Sequence, residues 1–169
     1  IADVGLTAFL ADMAAAKEKR IRAMLDKLAA HGMPLSFEQV KAFAVSSLSR
    51  GHVARAMVAA GYAADVGECF EKWLYEGGPC FVSNTQAAPE TAIEIIHAAG
   101  GVAVLAHPMR MKCPDAQKFA LIERLRKAGL DGIEANYKNM PTEVTAPYSQ
   151  AARRHGLFIT NGGDFHGRF

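Results

Sequence analysis

A chain of 169 residues, 50% hydrophobic and 21% charged, has the profile of an ordinary folded protein rather than a disordered, charge-dominated one. Its formal net charge of +2 is too small to imply a nucleic-acid or membrane surface, so any basic site has to be local. Cys69, Cys80 and Cys113 form no CxxC pair and argue against a disulfide framework or zinc knuckle; with no run of ~18 apolar residues and no signal-like start, the expectation is a cytoplasmic protein with no membrane partner.

From Leu6 to Ala30, Leu6, Phe9, Leu10, Met13, Ile21, Met24, Leu25 and Leu28 recur at spacings of three and four, which predicts one long amphipathic helix. Gly32 and Pro34 stop it. Ser36 with Gln39 makes a capping-box pattern for a short helix through Val40 and Phe43. A further helix starts near Ser49, carries Val53, Ala56 and Met57 on one face and ends at Gly61; another spans Val66 to Leu74. Residues 1–78 therefore read as an all-helical block, closed by Gly77-Gly78-Pro79.

Residues 79–169 change character, because helix signals alternate with short apolar runs. Pro89 opens a helix that ends at Gly100-Gly101. Val102 to Ala106 is apolar on both faces, the pattern of a buried parallel strand. A helix over 115–128, a strand over 132–137, a helix over 142–155 and a strand over 157–161 complete a βαβαβ order. No internal repeat interrupts it.

Active-site groups in parallel α/β architecture collect just past the carboxyl ends of the strands. The first strand is followed by His107-Pro108, the second carries Glu134 and Asn136, and the third leads into Gly162-Gly163-Asp164-Phe165-His166. In an extended segment Asp164 and His166 project to the same side, a spacing suited to a shared metal cluster. The alternatives are that Asp164 caps a turn, His166 is merely exposed and His107 bonds a backbone carbonyl. Two such patterns at sequential strand ends favour the metal reading.

Ala106-His107-Pro108, Gly132-Ile133-Glu134 and Gly163-Asp164-Phe165-His166, in that order and spacing, resemble the C-terminal motifs of the PHP (polymerase and histidinol phosphatase) superfamily of metal-dependent phosphoesterases. Gly163 replaces the serine more usual in the last motif. Ser49-Arg50-Gly51-His52-Val53-Ala54-Arg55 is similar to the Ser-Arg-x-His-x-Ala-Arg signature of a helical insertion in one branch, the nucleoside 3′,5′-bisphosphate phosphatase and 5′-3′ exoribonuclease-like group. The resemblance implies an α/β fold, part of a distorted (βα)7 barrel with an inserted all-helical subdomain. It implies a cluster of up to three divalent ions, Mn foremost with Fe, Zn or Mg as alternatives, and hydrolysis of a phosphomonoester on a small nucleotide or of terminal nucleotides on short RNA. By position His107, Asp164 and His166 are the implied metal ligands, and Ser49, Arg50, His52 and Arg110 reach substrate phosphate. No ligand role carries over onto Glu134.

Clustered divalent ions suit such a reaction because they neutralise the anion that repels the nucleophile and supply hydroxide near neutral pH. Arg50 can grip a second phosphate bidentately while staying charged at every working pH. The bland alternative for Arg50 and His52 is a solvated helix start. The family's N-terminal His-x-His and the motifs after it are absent, and the chain starts at Ile1 without Met. The expectation is therefore a missing N-terminal barrel half of roughly a hundred residues, needed for activity, and a fragment that is itself inactive. Competing readings are a histidinol-phosphate phosphatase, a polymerase proofreading exonuclease, or a non-enzymatic nucleic-acid-binding module using Lys17, Lys19, Arg20 and Arg22. The helical signature disfavours the first two, and that charge run reads as the solvated face of a long helix. Met109, Met111 and Cys113 read as core or loop residues rather than copper ligands, and Phe70 and Trp73 as packing.

Overall fold

The structure is a computed structural model in which residues 3–44, 47–84, 87–138 and 140–163 are described. The chain divides into two compact units, Thr7–Gln86 and Ala87–Phe169, the second taking in the first six residues as well.

In the helical unit, α1 (Val4–Ala30) is followed by α2 (Phe37–Lys41), α3 (Arg50–Ala59) and α4 (Val66–Cys69). Ile21, Met24, Leu25 and Leu28 bury one stripe of α1 against Val40, Val53, Met57, Cys69 and Leu74. That stripe begins late: Val4 and Leu10 stay exposed, so the apolar periodicity of the first turns is not matched by burial. Ser36 caps α2 as the sequence predicts, accepting from Gln39 N–H at 3.2 Å while Gln39 returns the bond to Ser36 N–H at 2.7 Å. The helix expected over 66–74 holds α geometry only to Cys69, and Phe70–Leu74 continue as one wide π turn. Phe70 and Trp73 pack against the core.

The α/β unit runs α5 (Pro89–Ala98), β1 (Val104–Leu105), a 3-10 turn (Pro108–Arg110), α6 (Asp115–Lys127), β2 (Gly132–Tyr137), α7 (Thr142–His155) and β3 (Phe158–Gly162). The strands form a parallel sheet in the order β1-β2-β3. Ile133 and Ala135 of β2 are buried with Ile122 and Leu125 of α6 and Tyr148 and Ala152 of α7. Gly156 ends α7 in the left-handed region (φ 68°), the conformation glycine adopts without a Cβ penalty, and Leu157 N–H returns to Ala152 O at 2.9 Å to start β3. Among the described residues no helix is long and apolar enough to cross a membrane.

The first strand corrects the expectation in length and burial. It spans two residues rather than five, and Val102 and Val104 are exposed, 65% and 37%. Its start is taken by a side chain: the Asp131 carboxylate accepts Ala103 N–H at 2.7 Å, a position the ladder would otherwise fill. Burial on both faces belongs instead to central β2.

Asp131 also accepts from His97 Nε2 at 2.8 Å. That bond first, and the Ala103 N–H second, hold the carboxyl below its usual range. The charged form is thus favoured in the folded state. Stability from Asp131 is fully present above the unfolded value of about 3.9 and is lost as pH falls through the folded value. Asp131→Asn should flatten the acid limb of a urea-midpoint profile taken from pH 5 to 2; identical limbs in variant and parent would refute the linkage.

Candidate active site

Three strand ends supply the site. At the end of β1 His107 takes φ 29°, ψ 55°, a left-handed backbone that costs a non-glycine residue about 1–2 kcal/mol and so needs an anchor. Glu134 provides it, its Oε2 accepting His107 N–H at 2.7 Å. The other oxygen, Oε1, occupies the space where a Cβ on Gly162 would stand. One carboxylate from the middle strand therefore touches the ends of both neighbours, and glycine at 162 is what admits it.

A register shift between Glu134 and Asn136 gives β2 an extra residue against β3, the kind of bulge that re-aims side chains beside active sites. Beyond it Tyr137 meets two residues that follow β1, His107 and Arg110. Arg110 Nη1 donates to the Tyr137 hydroxyl at 2.8 Å, its guanidinium lies 5.6 Å from the ring centroid, and the His107 ring stands edge-on to Tyr137 at 6.2 Å and 85°. Asn136 Nδ2 donates to Asn161 Oδ1 at 2.7 Å, and Ser149 Oγ to Asn136 Oδ1 at 3.3 Å. His107 and Arg110, both expected site residues, are thus brought together with Glu134 and Tyr137. Asp164 and His166 lie outside the described residues.

Ser49, Arg50 and His52 belong to the helical unit, at the start of α3. Ser49 is the extended N-cap, and its N–H donates to His52 Nδ1 at 3.1 Å, with Ser49 Oγ 3.2 Å from the same nitrogen. Burial, then the neighbouring Arg55 charge, lowers the His52 pKa, which keeps Nδ1 an acceptor at neutral pH. Arg50 Nη1 donates to Leu74 O at 3.1 Å, and its guanidinium lies 5.7 Å from the Phe70 centroid and 5.2 Å from that of Phe81.

Among the described residues no group of three or more His, Cys, Asp and Glu side chains converges as a metal site. The donor types that do meet, one imidazole residue and one carboxylate on adjacent strands, suit borderline and hard divalent ions. Met109 is buried in the α/β core, as the sequence suggests, rather than presented as a soft ligand.

No family model matches the chain. It is 34% identical over 161 residues to a 5′-3′ exoribonuclease of Haemophilus influenzae, covering 95% of this chain and 59% of that protein. It is 33% identical over 167 residues to a 3′,5′-nucleoside bisphosphate phosphatase of Chromobacterium violaceum, covering 98% and 59%. These named hydrolases agree with the resemblance to PHP-type phosphoesterases that the strand-end motifs carry. Two solved structures are similar as well. An amidohydrolase from Chromobacterium violaceum, with bound sulfate and no metal, superimposes with TM-score 0.84 at 33% identity over 98% of this chain and 59% of that one. An assigned metal-dependent phosphoesterase from Bifidobacterium adolescentis superimposes with TM-score 0.80 at 26% identity and the same coverage. The chain therefore spans about 59% of the length of these relatives.

Sequence reasoning placed Glu134 at the second strand end without giving it a role, and passed over Tyr137. Tyr137 gave no signal, because its direction depends on the bulge.

Proposed function

We propose that the intact protein is a metal-dependent phosphoesterase that hydrolyses a phosphomonoester of a small nucleotide, such as a nucleoside 3′,5′-bisphosphate, or removes terminal nucleotides from short RNA. The observation that carries this reading is the Glu134–His107 junction at the carboxyl edge of the sheet, in a chain about one-third identical to a named exoribonuclease and a named bisphosphate phosphatase. His107, Asp164 and His166 would hold divalent metal, Mn in this reading and up to three ions, with further donors from chain outside these 169 residues. The metal would neutralise phosphate charge and activate water near neutral pH.

The chain's own residues do the positioning. Glu134 fixes the backbone that presents the His107 imidazole. Tyr137 holds Arg110 at the same edge, where a guanidinium can bind a phosphoryl oxygen. Ser49, Arg50 and His52 receive substrate phosphate from the helical unit. The consecutive strand order fits part of a distorted (βα)7 barrel into which the helical unit is inserted. The 169-residue chain by itself is expected to be inactive, and the protein to act in the cytoplasm.

Release of phosphate from the phosphomonoesters, and of mononucleotides from the nucleic acids, should be assayed with Mn²⁺ for the full gene product and for the 169-residue chain. The substrates are adenosine 3′,5′-bisphosphate, a short RNA, histidinol phosphate and single-stranded DNA. Turnover of the bisphosphate or RNA by the full product alone, abolished by a chelator, is the expected result. A preference for histidinol phosphate, or no release from any nucleotide, would overturn the assignment.

A further inference from the structure

Among the described residues Lys118 is the one buried side chain that carries a charge, with 9% of its surface exposed. Its position makes that burial more unfavourable still. Lys118 lies in the first turn of α6 (Asp115–Lys127), the helix end whose unpaired N–H groups repel a cation. A buried ammonium persists only where its donors find acceptors. Two are in place: Nζ donates to Asp115 Oδ1 at 3.0 Å and to Met109 O at 3.4 Å. The Asp115 bond first, with Tyr148 adding to it, raises the Lys118 pKa against the opposing effect of burial, so the side chain stays a cation.

Asp115 does not account for the burial. Its side chain is 74% exposed, and an i,i+3 pair of this kind forms as well on a solvated helix face. What lies inward of the ammonium is Met109 O. Met109 is the middle residue of the turn Pro108–Arg110, and its side chain is buried in the α/β core. The turn's backbone bonds are local: Arg110 N–H donates to His107 O at 3.0 Å and Met111 N–H to Pro108 O at 3.2 Å. Lys118 ties the same turn to α6, and Arg110 Nη1 ties it to the Tyr137 hydroxyl of β2 at 2.8 Å. A three-residue turn held at two consecutive residues, from a helix and from a strand, has little freedom to swing its guanidinium.

We propose that Lys118 is a positioning residue: by holding Met109 O from α6 it fixes the turn that presents the Arg110 guanidinium at Tyr137, and it does so without touching substrate. The tether stands on these contacts alone. Its effect on substrate binding rests on the proposed function, in which Arg110 receives a phosphoryl oxygen.

Nε–H relaxation of the arginines should be measured by NMR on the full gene product, free of substrate. Lys118→Met keeps the unbranched stem and removes the ammonium. It is expected to lower the heteronuclear NOE at Arg110 and to leave that at Arg124, which is paired with Glu90, unchanged. Asp115→Asn, a change at an exposed residue, should do the same to a smaller degree, so that a folding defect in Lys118→Met cannot decide the result. An Arg110 signal unchanged in both variants, or one that loosens together with Arg124, would overturn the tether. In the second arm Lys118→Met should raise KM for adenosine 3′,5′-bisphosphate about tenfold, the scale of one charged contact. Its kcat should stay within a few-fold, the split expected when binding rather than the chemical step is affected. Arg110→Gln should raise KM similarly, and the double variant no further. Additive KM losses would overturn the positioning role, because a merely structural lysine acts independently of Arg110. Loosening of Arg110 with KM unchanged in Arg110→Gln, or with no turnover by the parent, would count against the proposed function and leave the tether standing.

Discussion

His107→Ala in the intact protein should lower kcat/KM for nucleotide phosphate release by at least about 10³-fold, because a lost metal ligand removes several kcal/mol of charge stabilisation from the transition state. Bound metal, measured by elemental analysis after gel filtration, should fall in parallel. The fold should survive, since the anchor that Glu134 offers is made to a backbone N–H and not to the imidazole. Activity within a few-fold of the parent, with metal content unchanged, would remove His107 from the reaction and with it the metal reading of the strand ends.

The second large effect is expected at Gly162. A methyl group there would occupy the place of the Glu134 carboxylate, and overpacking of this kind costs about 1–3 kcal/mol. Gly162→Ala should therefore destabilise the α/β unit by that amount in urea melts and also depress activity, because Glu134 must leave His107 N–H to make room. Glu134→Ala alone should cost about 1.5–3 kcal/mol for a lost charged acceptor. The two losses share one cause, so the double variant should be little worse than either single one, a coupling that a double-mutant cycle reads directly. Additive losses would show that Glu134 and Gly162 are not in contact, and an unchanged melt for Gly162→Ala would show that the carboxylate lies elsewhere.

Much of this arrangement was legible in the amino-acid order. The strand over 132–137 and the helix over 142–155 have the bounds expected of them, because a Gly at each helix end and the change of apolar period mark them locally. The capping box at Ser36 and the helix start after Ser49 were equally local. What escaped depends on partners far away in sequence. The shortening of β1 follows from Asp131 taking Ala103 N–H across 28 residues. The π turn at Phe70 keeps Phe70, Trp73 and Leu74 against the helical core, and an apolar pattern alone cannot tell a wide turn from an α one. Glu134 as a brace, Tyr137 as the holder of Arg110 and Lys118 as the partner of Met109 O all require strand register or helix packing, which a single sequence does not carry.

The β1 strand, with its one hydrogen-bonded neighbour among the described residues, its exposed Val104 and the exposed Val102 just before it, has a bearing on how the protein behaves in a tube. Peptide groups along the outer flank of a short apolar strand are an open template for any other extended segment. Colloidal self-association, concentration-dependent and insensitive to chelators, is thus the hazard to manage whenever this polypeptide is produced by itself. Lysine at position 102 is the direct remedy, because it places a solvated charge on that flank several residues away from His107.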